Sequence, residues 1–193
     1  MKRTHDIFIL LCPFLLSSCV YWGMYHFDDA DLVWLSPYEE GDTILFTSVT
    51  DEVDTLVVKE KYIKDTYWPF MENEARPVME AYGYLDIDIW HHFRPFYCGI
   101  SITKEDTNRL RVSLPFSRIG KEYRESEIKM NRVELGGWTY DDVIVCARGN
   151  DRFVFPNSSN VQYYVWSKSK GLLQYKYLNG DVYTYYKKLP RKR

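Results

Sequence analysis

Asp86, Asp88, His91 and His92 are the one place where carboxylates and imidazoles gather in this sequence. On a strand, Asp86 and Asp88 project from one face because successive side chains alternate, and His92 joins that face if the strand runs on. Carboxylate and imidazole can hold zinc or a related divalent ion, so the chemistry of such a set would be metal-assisted hydrolysis. The spacing matches no metal-binding pattern, and polar residues on a solvent-facing strand account for it better. Asp28, Asp29 and Asp31 lack the glycine and distal glutamate of a calcium loop. The chain holds no G-x-S-x-G, no phosphate-binding glycine loop and no H-E-x-x-H. No metal site, catalytic residue or cofactor is therefore expected.

Aromatic rings are the second chemical resource. The 193 residues include 17 Tyr, 10 Phe and 6 Trp. Exposed rings stack on the faces of sugars. Trp68, Trp90, Phe93, Phe96 and Trp138 fall near strand ends or in loops, where binding residues concentrate. These five are the candidate ligand-stacking residues, and a glycan or another small ligand is the candidate partner. Most other rings fall at strand positions, where sheet packing uses them. Apolar residues make up 46% and charged residues 27%, which excludes general disorder. A net charge of −2 gives no electrostatic footprint for nucleic acid.

The elements that must position these residues have a period of two. Residues 43–49 and 55–59 read as strands flanking an acidic turn, and apolar residues alternate with polar ones over 85–89, 99–103 and 109–114. Residues 142–147 form a continuous apolar run that suits a strand covered on both faces. In the last third, 161–166, 172–178 and 182–187 read as strands, and Asn179-Gly180 predicts a type I′ hairpin with two left-handed residues. Helical signal is confined to 70–82, where Pro77 limits any helix to a turn or two. Residues 118–129 read as a polar loop or one exposed helix. About ten strands with at most one or two short helices predict one all-β antiparallel domain over 41–190, either a sandwich or an open barrel.

The N-terminus reads as an address. Lys2 and Arg3 precede ten apolar residues, Ile7 to Leu16, which are followed by Ser17, Ser18 and Cys19. This is the order of a secretory signal peptide, and ten apolar residues are too few for a core of about 30 Å. Leu16-Ser17-Ser18-Cys19 resembles the lipobox of bacterial lipoproteins. The resemblance implies that residues 1–18 are removed and that Cys19 becomes the mature N-terminus. It also implies that Cys19 carries a diacylglyceryl group and an amide-linked acyl chain such as palmitate. Two or more chains anchor a protein stably, at about 0.8 kcal/mol per buried CH₂. Residues 19–40 then form a tether that docks on the body in its later part. Val20, where an aspartate would favour inner-membrane retention, implies the outer membrane and leaves open which side the domain faces. Cys98 and Cys146 remain after processing, an even number in an oxidising compartment. They are either a bridge worth about 4 kcal/mol or two buried free thiols.

Gly137 to Val145 (GWTYDDVIV), Tyr163 to Lys168 and Lys170 to Tyr175 are similar to the closing segment of small β-rich lipoproteins of Gram-negative envelopes. That similarity implies a location and a β architecture, not an activity. Residues 191–193 are a basic tail. The reading is a lipid-anchored, non-enzymatic envelope protein that binds a glycan or small ligand. The alternatives are a structural or assembly lipoprotein that contacts another envelope protein through an open sheet edge and, more weakly, a metal-dependent hydrolase.

Overall fold

A computed structural model describes residues 26–64, 81–91, 94–104, 109–116, 122–147 and 161–189; residues 1–18, which read as a signal peptide, Cys19 and the basic residues 191–193 lie outside them. The described residues form the expected all-β domain. Its strands are β1 (Thr43–Ser48), β2 (Val53–Lys64), β3 (Ala81–His91), β4 (Arg94–Lys104), β5 (Leu110–Ser113) and β6 (Glu122–Arg124), then β7 (Asn131–Leu135), β8 (Trp138–Ala147), β9 (Val161–Ser167), β10 (Gly171–Tyr177) and β11 (Val182–Leu189). All pair antiparallel in one sheet, in the order β6-β5-β4-β3-β2-β1-β11-β10-β9-β8-β7. The chain meanders outward from β1 to β6 and back from β7 to β11, and its first and last strands meet in the middle.

The sheet must curl, because its two edges are close in sequence. β6 and β7 lie at opposite ends of the order, yet only residues 125–130 join them, a link that reaches about 25 Å at most. The result is an open half-barrel. Its inner face carries the buried alternate residues, including Phe46, Leu56, Ile87, Ile100, Val112, Trp166 and Tyr175. Phe116, beyond β5, stacks on Tyr164 of β9 with ring centroids 5.0 Å apart, and the Tyr164 hydroxyl donates to the Leu114 carbonyl. These contacts cross the hollow of the curl and tie its two halves together.

Several boundaries differ from the sequence expectation. Residues 118–129 contain the short β6 and a 3-10 turn, Glu125–Glu127. The apolar run 142–147 is the second half of β8, which begins at Trp138 and pairs with the unexpected β7. The connecting Gly136 and Gly137 have φ of +59° and +81°. The 177–181 turn is not type I′. Gly180 is left-handed (φ +103°), but Asn179 is not, since Asp51 is the one described non-glycine residue with positive φ. Gly180 N–H donates to the Tyr177 carbonyl at 3.1 Å and Tyr177 N–H to the Asp181 carbonyl at 2.9 Å. This is a three-residue loop closed by a single left-handed glycine. Asn179 stays right-handed because its side-chain carbonyl accepts the Asp181 N–H at 3.1 Å.

The segment read as a tether docks further upstream than its last residues. Asp28 caps a short helix, α1 (Asp29–Leu32), and a 3-10 turn, Val33–Leu35, follows. Phe27, Trp34, Leu35 and Tyr38 are all core residues, so the domain begins no later than Phe27 rather than at 41. Leu35 sits where Gly83 leaves room on β3, since a Cβ there would lie 2.7 Å from Leu35 Cδ1. Two of the three early aspartates also find a structural use. Asp28 and Asp31 form a reciprocal capping box, and Lys104 of β4 donates to Asp31 at 2.5 Å and to Asp28 at 3.4 Å.

Lys104 and Asp31 are both nearly inaccessible, at 9% and 8% side-chain exposure. Burial pulls the Lys104 pKa down, but the hydrogen bond and charge of Asp31, with help from Asp28, outweigh it and raise the value. Lys104→Ala is expected to cost about 2–3 kcal/mol, below the 3–5 of a fully enclosed pair because Asp31 keeps its bond from Asp28 N–H. Lys104→Met with Asp31→Leu is expected to recover most of that loss. The raised pKa means that the stabilisation is complete below the ordinary lysine value and is lost as pH rises through the folded value. Chemical denaturation of the variants at neutral and alkaline pH measures both effects.

Cys98 and Cys146 are two buried free thiols, which corrects the bridge alternative. Cys98 lies opposite Phe116, and Cys146 lies opposite Tyr164. The stacked Phe116 and Tyr164 rings therefore stand between the two cysteines. The Cys146 sulfur instead meets the Tyr123 hydroxyl at 3.4 Å. Burial pushes the Cys98 thiol well above its ordinary pKa, the opposite of an activated nucleophile.

Candidate functional site: a groove where two strands part

β10 and β11 pair over only three positions, Lys176 with Val182, Tyr175 with Tyr183 and Gln174 with Thr184. Beyond Gln174 the first residues of β10 and the last of β11 separate. Tyr38 enters this parting, and its hydroxyl accepts the Leu172 N–H at 2.8 Å, replacing the sheet partner that the divergence removes. Burial raises the pKa of this phenol far above its ordinary value, so it stays neutral. Gly171 lets the ring approach. Its φ is +80°, and a Cβ there would lie 2.5 Å from Tyr38 Cζ.

A groove of about 990 Å³ opens along the parting. Ser36, Pro37 and Tyr38 line it ahead of β1, and Leu173 and Thr184 line it from β10 and β11. One bank belongs to β11. Leu45 pairs with Lys187 and Phe46 with Tyr185, so Tyr186 is an extra residue in a bulge. Bulges re-aim side chains, and Tyr186 is exposed beside the groove. The other bank is the β7–β8 hairpin. Val143, Val165 and Leu173 form a second small core on the outer face, with Val133, Leu135, Tyr140 and Tyr163 packed on it. This cluster explains why apolar residues are consecutive at 143 and 144, since Val143 faces the outer cluster while Ile144 and Cys146 face the main core and Val145 is exposed. It also fixes the hairpin that presents Trp138, which is 72% exposed at the groove.

The polar residues of the groove are organised by its edges. Asp142 accepts from Ser167 Oγ and Ser169 N–H, each at 2.7 Å. Burial works to raise its pKa, but the Ser169 and Ser167 hydrogen bonds prevail and hold it below the ordinary carboxylate value. Lys188 reaches the buried Asp42 carboxylate and the Pro37 carbonyl. Asp141 lies 3.5 Å from Arg132.

The five stacking candidates do not share a site. Trp138 is in the groove. Trp90 is 42% exposed on β3 opposite Thr55, toward the β1–β2 turn and away from the groove. Trp68 and Phe93 lie outside the described residues, as does the side chain of Phe96, whose backbone pairs with Ile89. Of the polar cluster, Asp86 and Asp88 are described. Asp88 pairs with Lys59 at 3.0 Å. The Asp86 pKa is raised by burial and by the neighbouring Asp88 and Glu60 charges. His92 and the His91 side chain lie outside the described residues, among which no three His, Cys, Asp or Glu side chains are placed to hold a metal. Sequence reasoning missed Tyr38, Tyr185 and Tyr186 as groove residues. All three looked like ordinary tether or strand aromatics, and neither the parting nor the bulge has a local signature.

No family model, curated protein or solved structure matches this chain. The geometry of the groove is therefore the basis of the functional reading.

Proposed function

We propose that this chain is a non-catalytic binding module that takes a glycan in the β10–β11 groove and is held to the bacterial outer membrane by lipid on Cys19. The carrying observation is Trp138, a large ring left 72% exposed on a hairpin that the outer core fixes in place. An apolar ring held rigidly in water costs solvation unless a ligand covers it, and a sugar face supplies a matching apolar surface. Tyr140, Tyr185 and Tyr186 add rings, while Thr139, Thr184 and Ser169 add hydrogen-bonding groups beside them. A mostly apolar, concave surface with a few polar groups is the usual composition of a small-ligand site.

Trp138→Ala is expected to remove at least 90% of glycan binding while shifting stability by less than about 0.5 kcal/mol, because the ring is exposed. A glycan array followed by calorimetric titration of the full chain in detergent measures the first, and thermal unfolding the second. A wild-type chain that captures no glycan, or a variant that binds as well as wild type, overturns the reading. Cys19→Ser is expected to move the protein from the membrane to the soluble fraction of the cells that make it. Continued membrane association would remove the anchor from the proposal.

A further inference from the structure

We infer that the groove is built for an acidic oligosaccharide, with one sugar ring on Trp138 and a carboxylate at Lys170. The inference rests on the glycan reading and adds length and charge to it. Length follows from the strand. Ser169 N–H donates to Asp142, which places the β9–β10 turn beside that residue. Asp142 is four residues from Trp138 along β8, about 13 Å at the rise of an extended strand. Both ends line the same groove, and a backbone span of that length suits a ligand of more than one sugar residue.

Charge follows from the pairing of the groove's ionic groups. Lys188 is neutralised by Asp42 and Asp141 faces Arg132, while Asp142 keeps its charge and directs its two oxygens into hydrogen bonds from Ser167 Oγ and Ser169 N–H. Lys170 is exposed and, among the described residues, its ammonium has no ion-pair partner. It stands on a turn that is itself fixed, since Lys170 N–H donates to Ser167 Oγ at 3.0 Å. A fixed turn presenting an uncommitted cation at one end of an aromatic-lined groove complements a ligand with an apolar ring at one end and an anion at the other. A charge-assisted hydrogen bond to that anion is stronger than a neutral one.

The test uses the full chain in detergent and titration calorimetry. The probes are a linear trimer of galacturonic acid, the same trimer with its carboxyls reduced to alcohols, and the galacturonic acid monomer. The acidic trimer is expected to bind at least tenfold more tightly than either other sugar, with an affinity that falls as salt is raised. Lys170→Gln is expected to weaken the acidic trimer about tenfold and leave the reduced trimer unchanged. Lys170→Arg is expected to keep the preference, and unchanged melting of both variants guards against misfolding. Equal binding of the two trimers, or an unaffected Lys170→Gln, overturns the acidic assignment while the glycan reading stands. A monomer as tight as the trimer overturns the length. Failure of every sugar, with none captured on an array either, overturns the inference and the glycan reading together.

Discussion

Trp34→Ala is expected to lower stability by about 3–5 kcal/mol, the cost of emptying a fully buried tryptophan site. Typical domains have about 5–15 kcal/mol in total, so the loss is about a third or more of the whole for a domain near the middle of that range. The melting temperature should fall by about 10 °C, since 1 kcal/mol moves a domain of this size by about 2–4 °C. The size of the effect comes from position. Trp34 has no exposed surface, and it sits where the two arms of the half-barrel must be joined. Its Nε1–H donates to Glu125 at 3.0 Å, within the link between the two sheet edges. Lys168, from the β9–β10 turn, binds the same carboxylate at 2.6 Å and lies 5.3 Å above the Trp34 ring. One side chain thus holds the N-terminal segment, the edge link and the C-terminal strands. Trp34→Phe keeps most of the volume and loses the N–H, so it is expected to cost about 1–2 kcal/mol less than alanine does. Urea unfolding of both variants separates packing from the hydrogen bond. A loss below about 1 kcal/mol for Trp34→Ala would mean that the segment merely rests on the sheet.

Gly171→Ala is expected to be at least as damaging per atom added. At φ +80° an L-residue costs about 1–2 kcal/mol in backbone energy alone. The new methyl would also lie 2.5 Å from Cζ and 2.6 Å from Cε2 of Tyr38, so the ring must leave. Its departure strips the Leu172 N–H of its acceptor at a buried position, which adds about 1–3 kcal/mol. The sum is about 2–5 kcal/mol for one carbon. The pair with Tyr38→Ala tests this account. If the clash matters, the double variant costs less than the two single losses added together, and a thermal-denaturation cycle shows the coupling. Strict additivity would leave the backbone angle as the whole cause. If the groove takes a glycan as proposed, binding should fall in Gly171→Ala as well, because Tyr38 lines it.

The strand pattern was legible because alternation is a local property. Leu110 and Val112 are buried with Arg111 exposed between them, and Leu85, Ile87 and Ile89 point inward with Asp86 and Asp88 between them, as period two requires. β7 escaped notice because Asn131–Leu135 is short and polar, an edge strand with one neighbour. The hairpin at Asn179-Gly180 was legible as a turn but not as a turn type. The choice depended on whether Asn179 used its side chain on Asp181 N–H or its backbone in a left-handed twist.

The candidate site was legible in one residue. Trp138 stood out as a large ring at a strand start, and the structure puts it in the groove. Tyr185 and Tyr186 did not, because a bulge belongs to a pair of strands and β1 lies more than a hundred residues from β11 in the chain. Trp90 looked equivalent to Trp138 in sequence and lies toward the other end of the sheet. Distance along the chain carries no information about which hairpins share an end.

By itself, then, the sequence determined the fold class, most strand positions and the residues available for packing, all of which follow from hydrophobic period and turn chemistry. It also carries the N-terminal pattern that implies a lipid anchor. Only the tertiary structure decided that the sheet curls rather than stacking as a sandwich, because that depends on the pairing of β1 with β11 and on a short link between two distant edges. Only the tertiary structure turned residues 27–38 from a tether into part of the core, since an aromatic segment buries itself only where a hollow of matching shape exists. The groove, too, exists only there. It is the space left when β10 and β11 stop pairing, and it requires Tyr38, Gly171 and the outer cluster around Val143 to meet from four separate parts of the chain.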